Sequence, residues 1–139
     1  MKIAINTCFG GFGLSHKAHK RYAELKGLNL YCFKEKRINE VADWGHFVPC
    51  DNPNDELFVH YATKPLNPDG TYDEDSYLCL RGHECRTDPA VIQTIEELGN
   101  EANSKFSELK IVEIPDSTEY EIDDYDGVET VHEVHRSWS

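Results

Sequence analysis

The sequence predicts an α+β (or α/β) fold, a mixed β-sheet of about five or six strands with two helices packed on it. Three observations lead there. Two segments combine an apolar stripe at helical spacing with a helix-start signal. Several short runs are rich in β-branched and aromatic residues. The chain has 139 residues, 39% hydrophobic and 11% aromatic, which builds one core and leaves little room for another. A single domain over 1–139 is therefore expected, with a loop-rich insertion at about 38–85.

In chain order, Lys2 to Thr7 alternates Ile3 and Ile5 with polar neighbours, the period of a strand. A glycine-dense turn follows, Cys8-Phe9-Gly10-Gly11-Phe12-Gly13-Leu14. Ser15 suits the N-cap of a helix to about Lys26, because its hydroxyl accepts from first-turn amides. Ala18, Tyr22 and Leu25 fall on one face, and Gly27 suits the left-handed stop.

Leu28 to Phe33 reads as the second strand. From Glu35 to Asn54 the pattern mixes a short helical turn through Ile38, Val41 and Trp44 with a loop around Pro49 and Pro53. Leu57 to Thr63 reads as a strand, and Lys64 to Ser76 as a turn-rich excursion. Asp88-Pro89 opens the second helix, with the stripe Val91, Ile92, Ile95, Leu98 and Ala102. Leu109 to Ile114 is apolar on both faces, which predicts a central strand covered on both sides. Tyr120 to Ile122 is a further strand. Asp126-Gly127 suits a hairpin turn into Val128–Val134, although Val128, Val131 and Val134 also sit at helical spacing.

Composition excludes several classes. No apolar run approaches the ~20 residues that span a bilayer. The first residues lack the features of a secretion signal, so a cytoplasmic protein without a membrane partner is expected. Cys8, Cys32, Cys50, Cys79 and Cys85 are odd in number and scattered, which favours buried thiols over a disulfide scaffold. Net charge is −12 and unevenly placed: seven of fourteen basic residues lie between His16 and Arg37, whereas Ile111 to His135 holds nine acids and no Lys or Arg. That balance argues against duplex nucleic acid as a partner.

Five groups of residues carry candidate chemistry. The strand, glycine turn and capped helix form a cradle for a phosphate, with Gly10, Gly11, Gly13, Ser15 and Lys17 as ligands and Lys20 and Arg21 nearby. The spacing matches neither the dinucleotide fingerprint nor the P-loop. The alternative is a tight turn with Phe9 and Phe12 packed inward. Arg86 before the second helix and Arg136 beside Trp138 are further anion ligands; the alternative is that Arg136 pairs with an acid and Trp138 packs.

His46, Cys50, Cys79, His83 and Cys85 contain four ligands for a structural zinc, but no C-x2-C knuckle accompanies them. Cys8, near a helix start, is a candidate nucleophile with His16, His19, His60, His83, His132 or His135 as base; nothing in the sequence sets one beside it. Asp123, Asp124 and Asp126 suit a hard cation or a solvated turn.

Taken together, MKIAIN and CFGGFGLS at the start, RTDPAVIQTIEELGNEAN, LKIVEIPD and YDGVETVHEVHRSW resemble a family of small bacteriophage and prophage proteins, most of them described only as hypothetical. The segments span more than half the chain; Ile38 to Cys85 departs from the pattern. The resemblance implies a phage accessory protein made in the host cytoplasm, and it supplies no catalytic residues.

By analogy with small phage proteins of anti-defence function, the expected activity is non-enzymatic binding of a phosphorylated small molecule or nucleotide signal. The alternatives are an acidic module that blocks a host protein, and a metal- or Cys-dependent enzyme. No cofactor is required by the first two. A homodimer suits a chain this short.

Overall fold

A computed structural model describes residues 1–39, 41–54 and 59–134. The fold is α+β, as the sequence predicts: two α-helices and eight strands among the described residues, the strands shared among three antiparallel sheets. The chain divides into two compact units, Met1–Tyr22 with Leu80–Ser139, and Ala23–Cys79. No helix among the described residues is long and apolar enough to cross a membrane.

In the first unit, β1 (Lys2–Asn6) pairs with β6 (Leu109–Glu113), setting Ile3 opposite Val112 and Asn6 opposite Leu109. The core runs through Ile3, Ala4 and Ile5 of β1 and Val91, Ile92, Thr94 and Ile95 of α2 (Pro89–Leu98). The start of α2 is as predicted. The Asp88 carboxylate accepts from the Ala90 N–H at 2.9 Å, and Pro89 fills a position whose amide would have no helical partner. The polar Thr94 is accommodated because its hydroxyl donates to the Ala90 carbonyl at 2.7 Å.

The expectation of a central β6 is corrected. Among the described residues it hydrogen-bonds to β1 alone, and Lys110 and Glu113 are exposed. Its apolar run is half-buried, because a two-stranded ribbon covers each side chain only partly.

The ambiguity in the last element resolves to a strand. β7 (Tyr120–Tyr125) and β8 (Val128–Glu133) form a hairpin with Tyr125 opposite Val128. Its turn has positive φ at both central residues, 54° at Asp126 and 90° at Gly127. Two such residues match the twist of a tight hairpin, which the valine spacing alone did not reveal.

The helix α1 (His16–Lys26) starts at the predicted cap, with Ser15 Oγ accepting from the Ala18 N–H at 3.1 Å. It ends at Gly27, φ 67°, where the Leu28 N–H donates to the Ala23 carbonyl at 2.8 Å. That bond uses the Leu28 amide in the helix cap, and the next strand begins at Tyr31 rather than at Leu28.

The second unit is built on a four-stranded sheet, order β3-β2-β4-β5. Its strands are β2 (Tyr31–Ile38), β3 (Val41–Pro49), β4 (His60–Ala62) and β5 (Tyr77–Leu78). The predicted helical turn and loop over 35–54 is overturned here, since most of that segment is a β-hairpin. Ile38 and Val41 are 55% and 68% exposed, so their spacing never reported a buried face. Phe33, 1% exposed, centres this unit's core, its ring 5.2 Å from Phe47 and 5.5 Å from Tyr72. Of the strand predicted at 57–63, His60–Ala62 is strand, and Leu57 and Phe58 lie outside the described residues.

Candidate functional site

The glycine turn after β1 is held by a side chain that the sequence did not single out. Asn6 is fully buried. Its amide nitrogen donates to the Cys8 and Gly127 carbonyls, each at 2.7 Å, and its oxygen accepts from the Glu108 N–H at 2.8 Å. One amide thus ties together the turn, the β7–β8 tip and the segment before β6. A neutral buried amide offers both donors and an acceptor, which is why Asn serves at such a junction.

Close backbone approach explains two of the glycines. A Cβ at Gly10 would collide with the Phe106 carbonyl oxygen, and one at Gly127 would lie 2.6 Å from the Gly11 nitrogen. Ser107 Oγ donates to the Gly13 carbonyl at 2.7 Å, closing the other end of the turn.

Phe12 is buried, as the tight-turn alternative requires, but Phe9 is 70% exposed. Two other large rings stand on the segments that meet here: Phe106, before β6, is 52% exposed, and Tyr125, at the end of β7, 79% exposed. The Cys8 thiol donates to the Phe106 carbonyl oxygen at 3.4 Å. The same hairpin carries the exposed carboxylates of Asp123, Asp124 and Asp126. Asp124 accepts from the Gly127 N–H at 2.8 Å, and Asp123 lies 3.1 Å from His132 Nε2. This end of the unit therefore combines three exposed aromatic residues with negative charge.

The residues predicted to hold phosphate are distributed differently. Gly10 is exposed, and its amide makes no hydrogen bond among the described residues. Ser15 caps α1 and donates its hydroxyl to the Glu101 carbonyl at 2.6 Å. Lys17 pairs with Glu101 at 2.8 Å on the surface.

Arg86 is interior, its side chain 3% exposed. It engages both oxygens of Glu129, donates to the Arg81 carbonyl at 3.0 Å, and lies 3.7 Å over the Phe12 ring centre. Glu129 also accepts from the Asn6 N–H at 2.9 Å. Arg136, with Trp138 and His135, lies outside the described residues.

No three His, Cys, Asp or Glu side chains among the described residues form a metal-holding group. His46 lies within β3 and Cys50 just beyond its end, four positions further along extended chain, which separates them by roughly 13 Å. His46 lies 3.4 Å from Asp43. His83 is exposed and Cys85 half-buried, both beside Arg86 in the first unit, while Cys79 is exposed at the end of the second.

Cys8 has Asn6 Oδ1 and the Phe106 carbonyl as acceptors, and no imidazole bonds to it among the described residues. Of the histidines, His19 is buried, and its Nδ1–H donates to the Ser15 carbonyl at 2.9 Å. Burial, opposed in part by that bond, lowers its pKa to about 4, so the ring is neutral at physiological pH.

Sequence reasoning missed Asn6, Glu129, Phe106 and Tyr125. An Asn at a strand end before a glycine run is a weak sign of a turn bracket. Nothing local marks the others, because each acquires its role from a loop about a hundred residues away or from the opposite strand. No family model, curated protein or solved structure matches this chain.

Proposed function

We propose that this chain is a non-enzymatic binding protein that docks the aromatic, acidic end of its first unit on a basic surface of another protein. The observation that carries this reading is the convergence of three chain segments, each with an exposed ring (Phe9, Phe106, Tyr125), one of them the hairpin that bears Asp123, Asp124 and Asp126. Aromatic side chains supply large contact area at low entropic cost and are enriched in interface cores. A carboxylate rim steers a positively charged partner and fixes its orientation. The resemblance to phage and prophage proteins makes a host protein the natural target, and blocking one is a plain route to an anti-defence role.

Affinity capture from a bacterial host lysate, at low and high salt, tests the reading with two variants. One carries Asp123→Asn, Asp124→Asn and Asp126→Asn, the other Phe9→Ser, Phe106→Ser and Tyr125→Ser. A partner retained at low salt, weakened by salt and lost with both variants is expected. Capture unaffected by neutralising the three aspartates removes the basis of the proposal.

A second reading keeps the small phosphorylated molecule as ligand, on one observation: the amide of Gly10, an exposed residue, has no acceptor among the described residues. Against it stand the pairing of Lys17 and Arg86 with carboxylates and the acidic hairpin beside the turn. Titration calorimetry with cyclic nucleotides and ADP-ribose derivatives separates the two, since only the second reading expects heat.

A further inference from the structure

Cys32 and Cys50 are set side by side on neighbouring strands of the second unit, a pairing that involves neither the docking end nor the glycine turn. Phe33 stands opposite Pro49 in the β2–β3 ladder, so the next pair outward is Cys32 with Cys50. The Cys50 N–H donates to the Cys32 carbonyl at 2.9 Å. Directly opposed, hydrogen-bonded residues of antiparallel strands have Cα atoms about 5.5 Å apart, within the span a disulfide bridges.

Burial, followed by the nearness of Cys50, pushes the Cys32 thiol up to about 12. Tyr61, opposite Cys32 on β4 and itself buried, closes the other side; burial, and then the two sulfurs, raise its hydroxyl pKa as well. All five cysteines are in the thiol form here.

We propose that Cys32 and Cys50 are a redox-sensitive dithiol, which a low-molecular-weight disulfide of the glutathione type converts to an intramolecular disulfide. One protein thiol loses its proton and attacks a sulfur of the oxidant. A mixed disulfide forms and the first small thiolate leaves. The second protein thiol, deprotonated in turn, attacks the protein sulfur of that mixed disulfide. The Cys32–Cys50 bond forms as the second small thiolate leaves. Two protein S–H bonds are replaced by one S–S bond, and the oxidant is reduced by two electrons to two thiols that carry the two protons.

The bond would staple β2 to the residue that follows β3 and close the intervening hairpin into a loop. Oxidation is then a structural event within this sheet, because it restricts opening of the strands that carry Phe33 and Phe47.

The test treats the folded protein with glutathione disulfide, blocks remaining thiols by alkylation, and maps non-reduced peptides by mass spectrometry. The expected product is a Cys32–Cys50 linked peptide, with Cys8, Cys79 and Cys85 alkylated or carrying glutathione. The oxidised protein should also resist protease cleavage within 33–49 by about tenfold over the reduced form. Cys32→Ser and Cys50→Ser should each abolish the linked peptide.

A variant with Cys8→Ser, Cys79→Ser and Cys85→Ser should retain the linked peptide, and the wild-type map decides the matter should that variant fold poorly. Cys32 and Cys50 both recovered in alkylated form, or joined to other cysteines, while exposed Cys79 is oxidised, would overturn the proposal.

Discussion

Arg86 and Glu129 form an ion pair in the interior of the first unit, with side chains 3% and 2% exposed. Both guanidinium ends engage the carboxylate, and the same carboxylate receives the Asn6 N–H from β1. The pair thus joins the loop before α2, the first strand and the last strand. A carboxylate so enclosed is tolerable only because each oxygen is hydrogen-bonded.

Removing one partner leaves the other charge buried alone. Glu129→Ala and Arg86→Ala should each cost about 3–5 kcal/mol in urea unfolding. The double variant Arg86→Met with Glu129→Leu should recover much of that loss, because an apolar pair fills similar space without an uncompensated charge. A double variant as unstable as the sum of the singles would show that the two residues contribute independently and are not a mutually compensating unit.

Gly127 is required by its neighbours as well as by its φ. Gly127→Ala places a methyl 2.6 Å from the Gly11 nitrogen at φ 90°. A loss of about 2 kcal/mol or more is expected. Gly127→Asn, which relieves strain where only positive φ matters, should be no better here, since its Cβ meets the same atoms. Thermal unfolding of the two variants side by side checks this.

Stability should fall in mild acid through His19. Its folded pKa is lowered, first by burial, from 6.5 to about 4. The unfolded chain therefore takes up a proton that the folded chain refuses across that interval. The contribution is fully present above pH 6.5 and is lost as pH drops toward 4, with a total on the order of 3 kcal/mol. His19→Gln keeps a donor toward the Ser15 carbonyl but does not titrate. Its stability should change less than wild type between pH 6.5 and 4, by denaturant unfolding at matched ionic strength.

The docking end should be separable from the fold. Asp123, Asp124, Asp126 and the Tyr125 ring are exposed. Neutralising the three aspartates, with Tyr125→Ser, should shift stability by only about 0.5 kcal/mol per site. Partner capture should nevertheless be lost. A variant that unfolds in step with losing its partner would place these residues in the architecture instead.

Much of the local structure was legible from the sequence. Ser15, Gly27, Asp88-Pro89 and Asp126-Gly127 act on backbone groups within a few residues of themselves, so their chemistry is written in the neighbouring letters. The α+β class followed from counting the elements they bound. Legibility ended where a residue's role depends on which strand lies beside it. Ile38, Val41 and Trp44 carry a helical period across the two strands of a hairpin.

Arg86 reads as an anion ligand at an anion-friendly junction and is instead matched by Glu129, 43 residues later. Cys32 and Cys50 are unremarkable singly and adjacent only once β2 and β3 pair. Phe9, Phe106 and Tyr125 share one end of the first unit through bonds made by Asn6 and by close glycine contacts. The physical division is one of range: capping and turn preferences are settled by sterics and hydrogen bonds along a short stretch of backbone. Which charges are buried together, which cysteines stand opposite each other and which rings stay in water are settled by strand register and loop convergence across the whole chain.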